Sequence, residues 1–517
     1  MAVERQSATL SPAQPSFILR GHAAQIHSVQ FVRQNTRLIT GDADGWVILW
    51  KLETKRALAV WKAHNGAILG SAEWGQDKLV THGRDNSLRI WQVRASDEAA
   101  LSTSLPAEVA SGDRPMPWLL HTLPVNTLNF CAFSMCYAPT QKEAHAHQGI
   151  DAETQFRSQN TQSSILVAVP ARDDKKAEVY QFPEERLKYV VPRAQSKDTG
   201  MVMAVKLVQD PVTGQVMVIT GYEGGLTAVY LLPEADGSSI GVAQLVYLSQ
   251  PHTQPILSLD ITPDAKIYFT SGADAVVAAH HIPGQPLTEE TIETSPHRQE
   301  DSDDPPISLP TPNPEPAFQV THNNSSSDTA QADDPPVSIS DDSTEAPLSF
   351  TKRSVTPSAR KAGGLSSLLS TDMSQPKSAQ RPRLPPTPPA PTVQAPHKIN
   401  NTKHAGQQSL SVRSDGRILV TGGWDSRIRI YSTKTLKEVA VLKWHKEGVY
   451  AVAFGKLLDA GDLDYITEED DAEAGGEVVK RETGLSKLQR QREEKMQVKH
   501  WVAAGAKDGK LSLWEVF

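Results

Sequence analysis

"TGDADGWVILW" occupies residues 40–50, and its reading decides the fold. An apolar stretch ends at Thr40, a tight acid-and-glycine turn follows, and alternating apolar positions then lead to Trp50. Apolar, β-branched runs on either side of a "DG" turn are the signature of a β-hairpin. The phrase returns as "THGRDNSLRIW" (81–91), "TGGWDSRIRIY" (421–431) and "AGAKDGKLSLW" (504–514). Strand-type patterning that repeats at about 40 residues points to a propeller.

Working outward, a further strand precedes two of the copies and is entered through a histidine: "GHAAQIHSVQF" from Gly21 and "AHNGAILGSAEW" from Ala63. "RALAVWKAH" supplies a fourth strand between them. Four antiparallel strands make one blade. Weaker copies extend the count. "LVAVPARDDKKAEVYQF" closes a third unit near Tyr180, and "VITGYEGGLTAVYLL" a fourth near Tyr230, with Gly224 where the acid belongs. "YFTSGADAVVAAHHI" keeps Asp274 but has His280 in the place of the aromatic. The sixth unit carries Asp425 and Tyr431, and the seventh His445, Asp508 and Trp514. The expected fold is therefore an all-β, seven-bladed propeller. After "LSLWEVF" no residues remain for an outer strand in the seventh blade, while "SFILRGH" (16–22) is an unused strand. Pairing the two closes the ring and hides two sheet edges.

Composition sets the boundaries. More than half of the 36 prolines fall between residues 283 and 400, among Ser, Thr and Asp. Such a segment buries too little apolar surface to offset its ordering entropy, so a disordered insertion is expected at 283–395. Blades 1–5 then occupy 16–282, and the end of blade 5 with blades 6–7 occupies 396–517. The net charge of −8 argues against duplex nucleic acid as a partner. Cys131 and Cys136, on opposite faces if they share a strand, do not suit a disulfide. The polar opening "MAVERQSATLSPAQPS" lacks a signal core, and no apolar run approaches the roughly 20 residues that span a bilayer. A soluble intracellular protein without cofactor or metal is expected.

Two further insertions, near 138–162 and 459–498, fall between first and second strands. The proline-rich one interrupts the connection between third and fourth strands of blade 5. In a propeller these connections share one face, which leaves the opposite face with short turns. Arg84, Trp424, Arg427 and Lys507 lie in those turns and form the candidate partner surface, Trp and Arg being good anchors. The second half of 459–498 has helix-forming composition that could dock a partner, but its apolar spacing is sparse and a solvated excursion is expected. "GAKDGKLS" (505–512) is a residue short of a phosphate loop and sits in a hairpin. His145 and His147 alone make a poor metal site. "WDSR" (424–427) and "WQVR" (91–94) are imperfect versions of a ubiquitin-ligase docking motif.

The repeated units resemble WD-repeat propellers. That resemblance implies a hydrogen-bonded tetrad in each complete blade: His22, Thr40, Asp44 and Trp50 in the first, His64, Thr81, Asp85 and Trp91 in the second, and His445, Asp508 and Trp514 in the seventh. A half-buried turn carboxylate needs donors, and imidazole, hydroxyl and indole supply a chain of them. Because the set recurs from blade to blade, it is read as structural and not as a hydrolytic triad. Three stretches, "ILRGHAAQIHSVQF", the run from "HAGQQSLSVRSDGRILV" to "WHKEGVYAVAF", and "WVAAGAKDGKLSLWEVF", resemble the fungal ASTRA-associated WD-repeat proteins. This implies a nuclear, non-enzymatic scaffold subunit whose partners are other subunits of the ASTRA complex, linked to chromatin remodelling and to assembly of phosphatidylinositol-3-kinase-related kinases. The alternatives are a substrate receptor of a cullin-type ubiquitin ligase and a G-protein β-subunit-like adaptor.

Overall fold

Seven sheets succeed one another along the chain. The computed structural model describes residues 13–108, 114–127, 130–139, 164–194, 199–234, 239–284, 392–459 and 484–516. Strand β1 (Phe17–Arg20) stands apart from its sequence neighbours. Blade 1 follows as β2 (Ile26–Val32), β3 (Arg37–Asp42), β4 (Trp46–Lys51) and β5 (Arg56–Lys62). Blade 2 is β6 (Ile68–Trp74), β7 (Lys78–Gly83), β8 (Ser87–Gln92) and β9 (Trp118–Pro124). Blade 3 comprises β10 (Ser134–Tyr137), β11 (Ile165–Pro170), β12 (Ala177–Phe182) and β13 (Arg186–Val191). Blade 4 uses β14 (Val202–Gln209), β15 (Val216–Tyr222), β16 (Thr227–Leu231) and β18 (Gln244–Ser249), the short β17 (Gly241–Val242) lying between the last two in sequence.

Blade 5 is β19 (Ile256–Ile261), β20 (Ile267–Gly272), β21 (Val276–His281) and, beyond the proline-rich segment, β22 (Lys398–Asn401). Blade 6 is β23 (Gln407–Val412), β24 (Ile418–Gly423), β25 (Arg427–Ser432) and β26 (Glu438–Lys443). Blade 7 contains β27 (Val449–Phe454), β28 (Trp501–Ala506) and β29 (Lys510–Glu515). Its fourth strand is β1: Phe17 pairs with Leu513 and Arg20 with Lys510, antiparallel. The expected seven-bladed ring with a shared closing sheet is the observed one.

Burial explains the pattern of the sequence. Second and third strands lie between two neighbouring sheets, so nearly every side chain in "RLITGD" and "ILVAVP" is buried. Outer strands such as "EVAVLK" cover one side only and remain partly exposed. The apolar clusters fill the wedges between blades. Ile39, Val47, Trp61, Ile68 and Trp91 join blades 1 and 2, and Leu19, Ile26, Trp50, Trp501 and Leu511 join blades 7 and 1. Fit in these wedges is close. A Cβ on Gly41 would stand 2.5 Å from Ile68 of the next blade, and one on Gly505 would stand 2.4 Å from Ile26. The central space, about 670 Å³, is lined by the inner strands with polar residues such as Ser28, Ser71, Glu73 and Ser409.

Three features depart from expectation. Blade 3 has a fifth strand, because β17 from the blade 4 connection pairs in parallel with β13. Residues 392–395, assigned to the insertion, already belong with the propeller: Gln394 bridges Ser249 on blade 4, and its N–H donates to Leu248 O at 2.7 Å. The excursion in blade 7 is not merely solvated, since it ends in helix α1 (Gly484–Gln497), which docks on the body. Met496 packs on the blade 7–blade 1 cluster, Gln497 Nε2 donates to Gln34 O at 3.1 Å, and Trp501 Nε1 donates to Met496 O at 2.8 Å. Polar contacts to the β2–β3 turn thus supply what its sparse apolar spacing does not.

Most of 283–395, including 285–391, lies outside the described residues, as do His145, His147 and 460–483. Cys131 and Cys136 are both free thiols, and burial pushes the Cys136 thiol up to about 12. Among the described residues no helix is long and apolar enough to cross a membrane.

Candidate functional site

Blade 2 shows how the chemistry of the repeat is wired. Trp91 Nε1 donates to Thr81 Oγ1 at 2.8 Å, Thr81 Oγ1 meets His64 Nε2 at 2.8 Å, and His64 Nδ1 meets Asp85 Oδ1 at 2.8 Å. With the indole donating to the hydroxyl oxygen, the hydroxyl proton goes to Nε2 and the ring proton sits on Nδ1 facing the carboxylate. Burial lowers the His64 pKa against the opposing pull of Asp85, which favours this neutral ring. Burial alone would raise the Asp85 carboxyl, but bonds from Ser87, the Asn65 N–H and His64 bring it down to about 2.

Blade 1 repeats the chain with one substitution of role. His22 Nε2 lies 2.7 Å from Thr40 Oγ1, and Trp50 Nε1 donates to the same hydroxyl at 2.9 Å. The carboxylate on His22 Nδ1, however, is Asp42 at 2.7 Å and not the expected Asp44. Asp42 closes strand β3 at a position held by Gly83 in blade 2. A side chain there fills the slot against the imidazole, as the 2.3 Å from a Cβ on Gly83 to His64 shows. Asp44 is exposed and only donates its N–H to Asp42 Oδ1 at 3.0 Å.

The seventh blade needs a second correction. His445 Nε2 binds Ser512 Oγ at 2.7 Å, and Trp514 Nε1 donates to that hydroxyl at 2.8 Å. Here the hydroxyl comes from the third strand, since Ala504 stands where blades 1 and 2 carry threonine. Asp508 pairs with Lys510 Nζ, and His445 Nδ1 is buried without a partner. Ala506 takes the Gly83 position.

Blade 5 is more complete than its sequence indicates. His252 bridges Asp274 and Thr270, each at 2.9 Å, and His280 takes the tryptophan's place 3.4 Å from Thr270. Sequence reasoning missed His252 in "PHTQPILSLD", although it stands ahead of its strand as His64 does. In blade 6, Gln407 Oε1 accepts from Thr421 at 2.7 Å, and Asp425 is satisfied by Arg429. Thr40, Thr81 and Thr270 are wholly buried, so no substrate reaches these hydroxyls; the tetrads bind the blades and do not catalyse. Among the described residues no three His, Cys, Asp or Glu side chains gather as metal ligands.

The candidate partner residues sit on the face of short turns. Trp424, Arg427 and Lys507 fall in one strip over blades 6 and 7. It is knit by Trp424 N–H to Gly406 O at 3.0 Å and Lys507 N–H to Gly448 O at 2.9 Å. Trp424 is 48% exposed, and its Nε1 donates to Gln408 Oε1 at 2.8 Å. Arg84 is separate, over blade 2, with its guanidinium 4.2 Å from the ring centre of exposed Phe130. Phe130 was not legible as a surface residue. Nor were His27 and Tyr450, whose rings stack at 5.7 Å between blades 1 and 7. Both follow the first residue of an inner strand, where the register slips by one, and such bulges re-aim side chains. Superposing "IHSVQF" on "VYAVAF" would have exposed this shared position.

Comparison with known proteins completes the description. The family model described as ASTRA-associated protein 1 matches residues 15–514. The ASTRA-associated protein 1 of Pyricularia oryzae is 37% identical over 98% of each chain. That of Aspergillus niger is 34% identical over the whole of both. The Schizosaccharomyces pombe relative is 25% identical over 85% of this chain and 93% of its own.

Proposed function

This chain belongs to the ASTRA-associated protein 1 family, and from that membership we propose that it is a non-catalytic scaffold subunit of an ASTRA assembly. In that role it serves chromatin remodelling and the assembly of phosphatidylinositol-3-kinase-related kinases, in the nucleus. The end-to-end similarity to the Pyricularia oryzae relative carries this reading, because it spans every blade and not an isolated repeat. The geometry supports it: the long connections of blades 2, 3, 4, 5 and 7 run between first and second or third and fourth strands, on one face. The other face presents short turns with Trp424, Arg427 and Lys507 together, an aromatic-and-cation surface suited to a protein subunit.

Affinity purification of the tagged full-length chain from its own fungus tests the proposal. Recovery of the ASTRA subunits at near-equal amounts is expected, and their absence alongside a recovered cullin adaptor would overturn it. A fluorescent tag concentrated outside the nucleus would overturn the location alone.

A further inference from the structure

On the face opposite the short turns, helix α1 and the β4–β5 turn border an open groove of about 490 Å³. It is lined by Glu53, Thr54, Arg56, Arg492, Lys495 and Met496. The carboxylates around it are engaged elsewhere. Glu53 pairs with Lys51 at 3.0 Å, Glu493 with Arg37 at 3.0 Å, and Glu494 with Arg490 at 3.1 Å. Among the described residues Arg56, Arg492 and Lys495 form no ion pair, so three cations face the groove against the single carboxylate of Glu53, in a chain of net charge −8. Like charges held together repel one another, and the arrangement is relieved when anionic groups dock between them.

The helix that carries two of these cations is itself held in place. Arg492 and Lys495 flank Glu493, whose carboxylate is held by Arg37, and Met496 is packed into the blade 7–blade 1 cluster. Arg37 in turn bonds Glu98, which also receives Arg33, so helix, β2–β3 turn and the 93–108 excursion form one rigid unit. The groove's volume lies in the range of about 300–1,000 Å³ typical of sites for ligands much larger than a single anion. Its floor combines a thioether with the aliphatic stems of arginine and lysine, which suits a peptide better than a bare ion.

We propose that this groove docks an acidic, Asp/Glu-rich segment of a partner protein, Arg56, Arg492 and Lys495 receiving its carboxylates over Met496. The site is independent of the Trp424 surface.

Fluorescence polarisation of a labelled twelve-residue Glu/Asp peptide against the full-length chain at low salt tests this, with a Gln/Asn peptide of equal length as comparison. The acidic peptide is expected to bind about tenfold or more tightly than the neutral one, and to weaken with added salt. Combined Arg56→Glu, Arg492→Glu and Lys495→Glu is expected to abolish the difference, with Arg492→Ala and Lys495→Ala together giving a partial loss. Lys403→Glu with Lys446→Glu, exposed positions on the other face, is expected to change nothing. Equal binding of both peptides overturns the proposal, as does undiminished binding by the reversed variant or its alanine version. Binding that emerges only after deletion of 460–477 also overturns it, since the chain's own "TEEDDAE" is then the occupant.

Discussion

Asp42 holds His22 from the end of a strand, 2.7 Å from the ring, while the turn residue Asp44 two positions on points to solvent. The blade therefore keeps its tetrad by moving the acid. Asp42→Ala is expected to cost about 2–4 kcal/mol, because it strips a buried imidazole of its partner. Asp44→Ala is expected to change stability by less than about 0.5 kcal/mol. Urea titration of the two variants side by side checks the assignment, and a larger loss for Asp44→Ala reverses it.

Ring closure depends on a four-residue strand. Leu19 is buried against Leu511 and Leu513, so deleting residues 1–22 exposes the edge of β29 and orphans part of the cluster. A fall in melting temperature of well over about 5 °C, with loss of amide protection along 510–515, is the expected result. An unchanged melting temperature contradicts closure.

The seam between blades 7 and 1 is probed from inside by Gly505→Ala, whose new methyl meets Ile26 at 2.4 Å. Overpacking of this kind costs about 1–3 kcal/mol. Combining it with Ile26→Ala removes the nearest atom, Cγ2, and leaves Cβ at 2.8 Å, so the strain is relieved in part and the double variant is expected to lose less than the sum of the singles. Strict additivity in a double-mutant cycle excludes the contact.

Acid should loosen the ring through its buried histidines. Burial holds His82 and His280 at about 3 and His445 at about 4, against an ordinary value of 6.5. Folded-state values lowered in this way mean that the unfolded chain takes up the protons. Their contribution is complete above pH 6.5 and is lost as pH falls through 6.5 toward 4, by up to about 1.4 kcal/mol per pH unit for each ring. His82 has neither ring nitrogen bonded and lies edge-on to Phe133 at 6.1 Å. His82→Phe is expected to reduce the slope of melting temperature on pH between 4 and 6.5. An identical slope removes His82 from the account.

Replacing residues 290–390 by a short Gly-Ser linker is expected to leave the melting temperature within about 2 °C. The pairing of Val276 with Asn401 and Ala279 with Lys398 stays available. Insoluble expression contradicts this.

How much of this was legible depended on repetition. Hairpin phrases marked second and third strands in every blade, because those strands are buried on both sides and must be apolar throughout. The closing strand was legible from the count alone. The sequence did not reveal which acid meets His22, since Asp42 and Asp44 share one turn and only the slot beside the ring tells them apart. It hid β17, whose two residues carry no strand pattern, and the docking of α1, which rests on single polar contacts such as Arg37 to Glu493 at 3.0 Å. His252 escaped because proline residues obscured an otherwise ordinary blade entrance.

The pairing of residues 17–20 with 510–513 has a consequence for biosynthesis. A ribosome delivers the rim strand β1 ahead of every blade and its mate β29 after them, with the split fifth blade between. The chain therefore carries β1 unmated while blades 1 to 6 are made. The seventh blade cannot complete its sheet until β29 has left the ribosome.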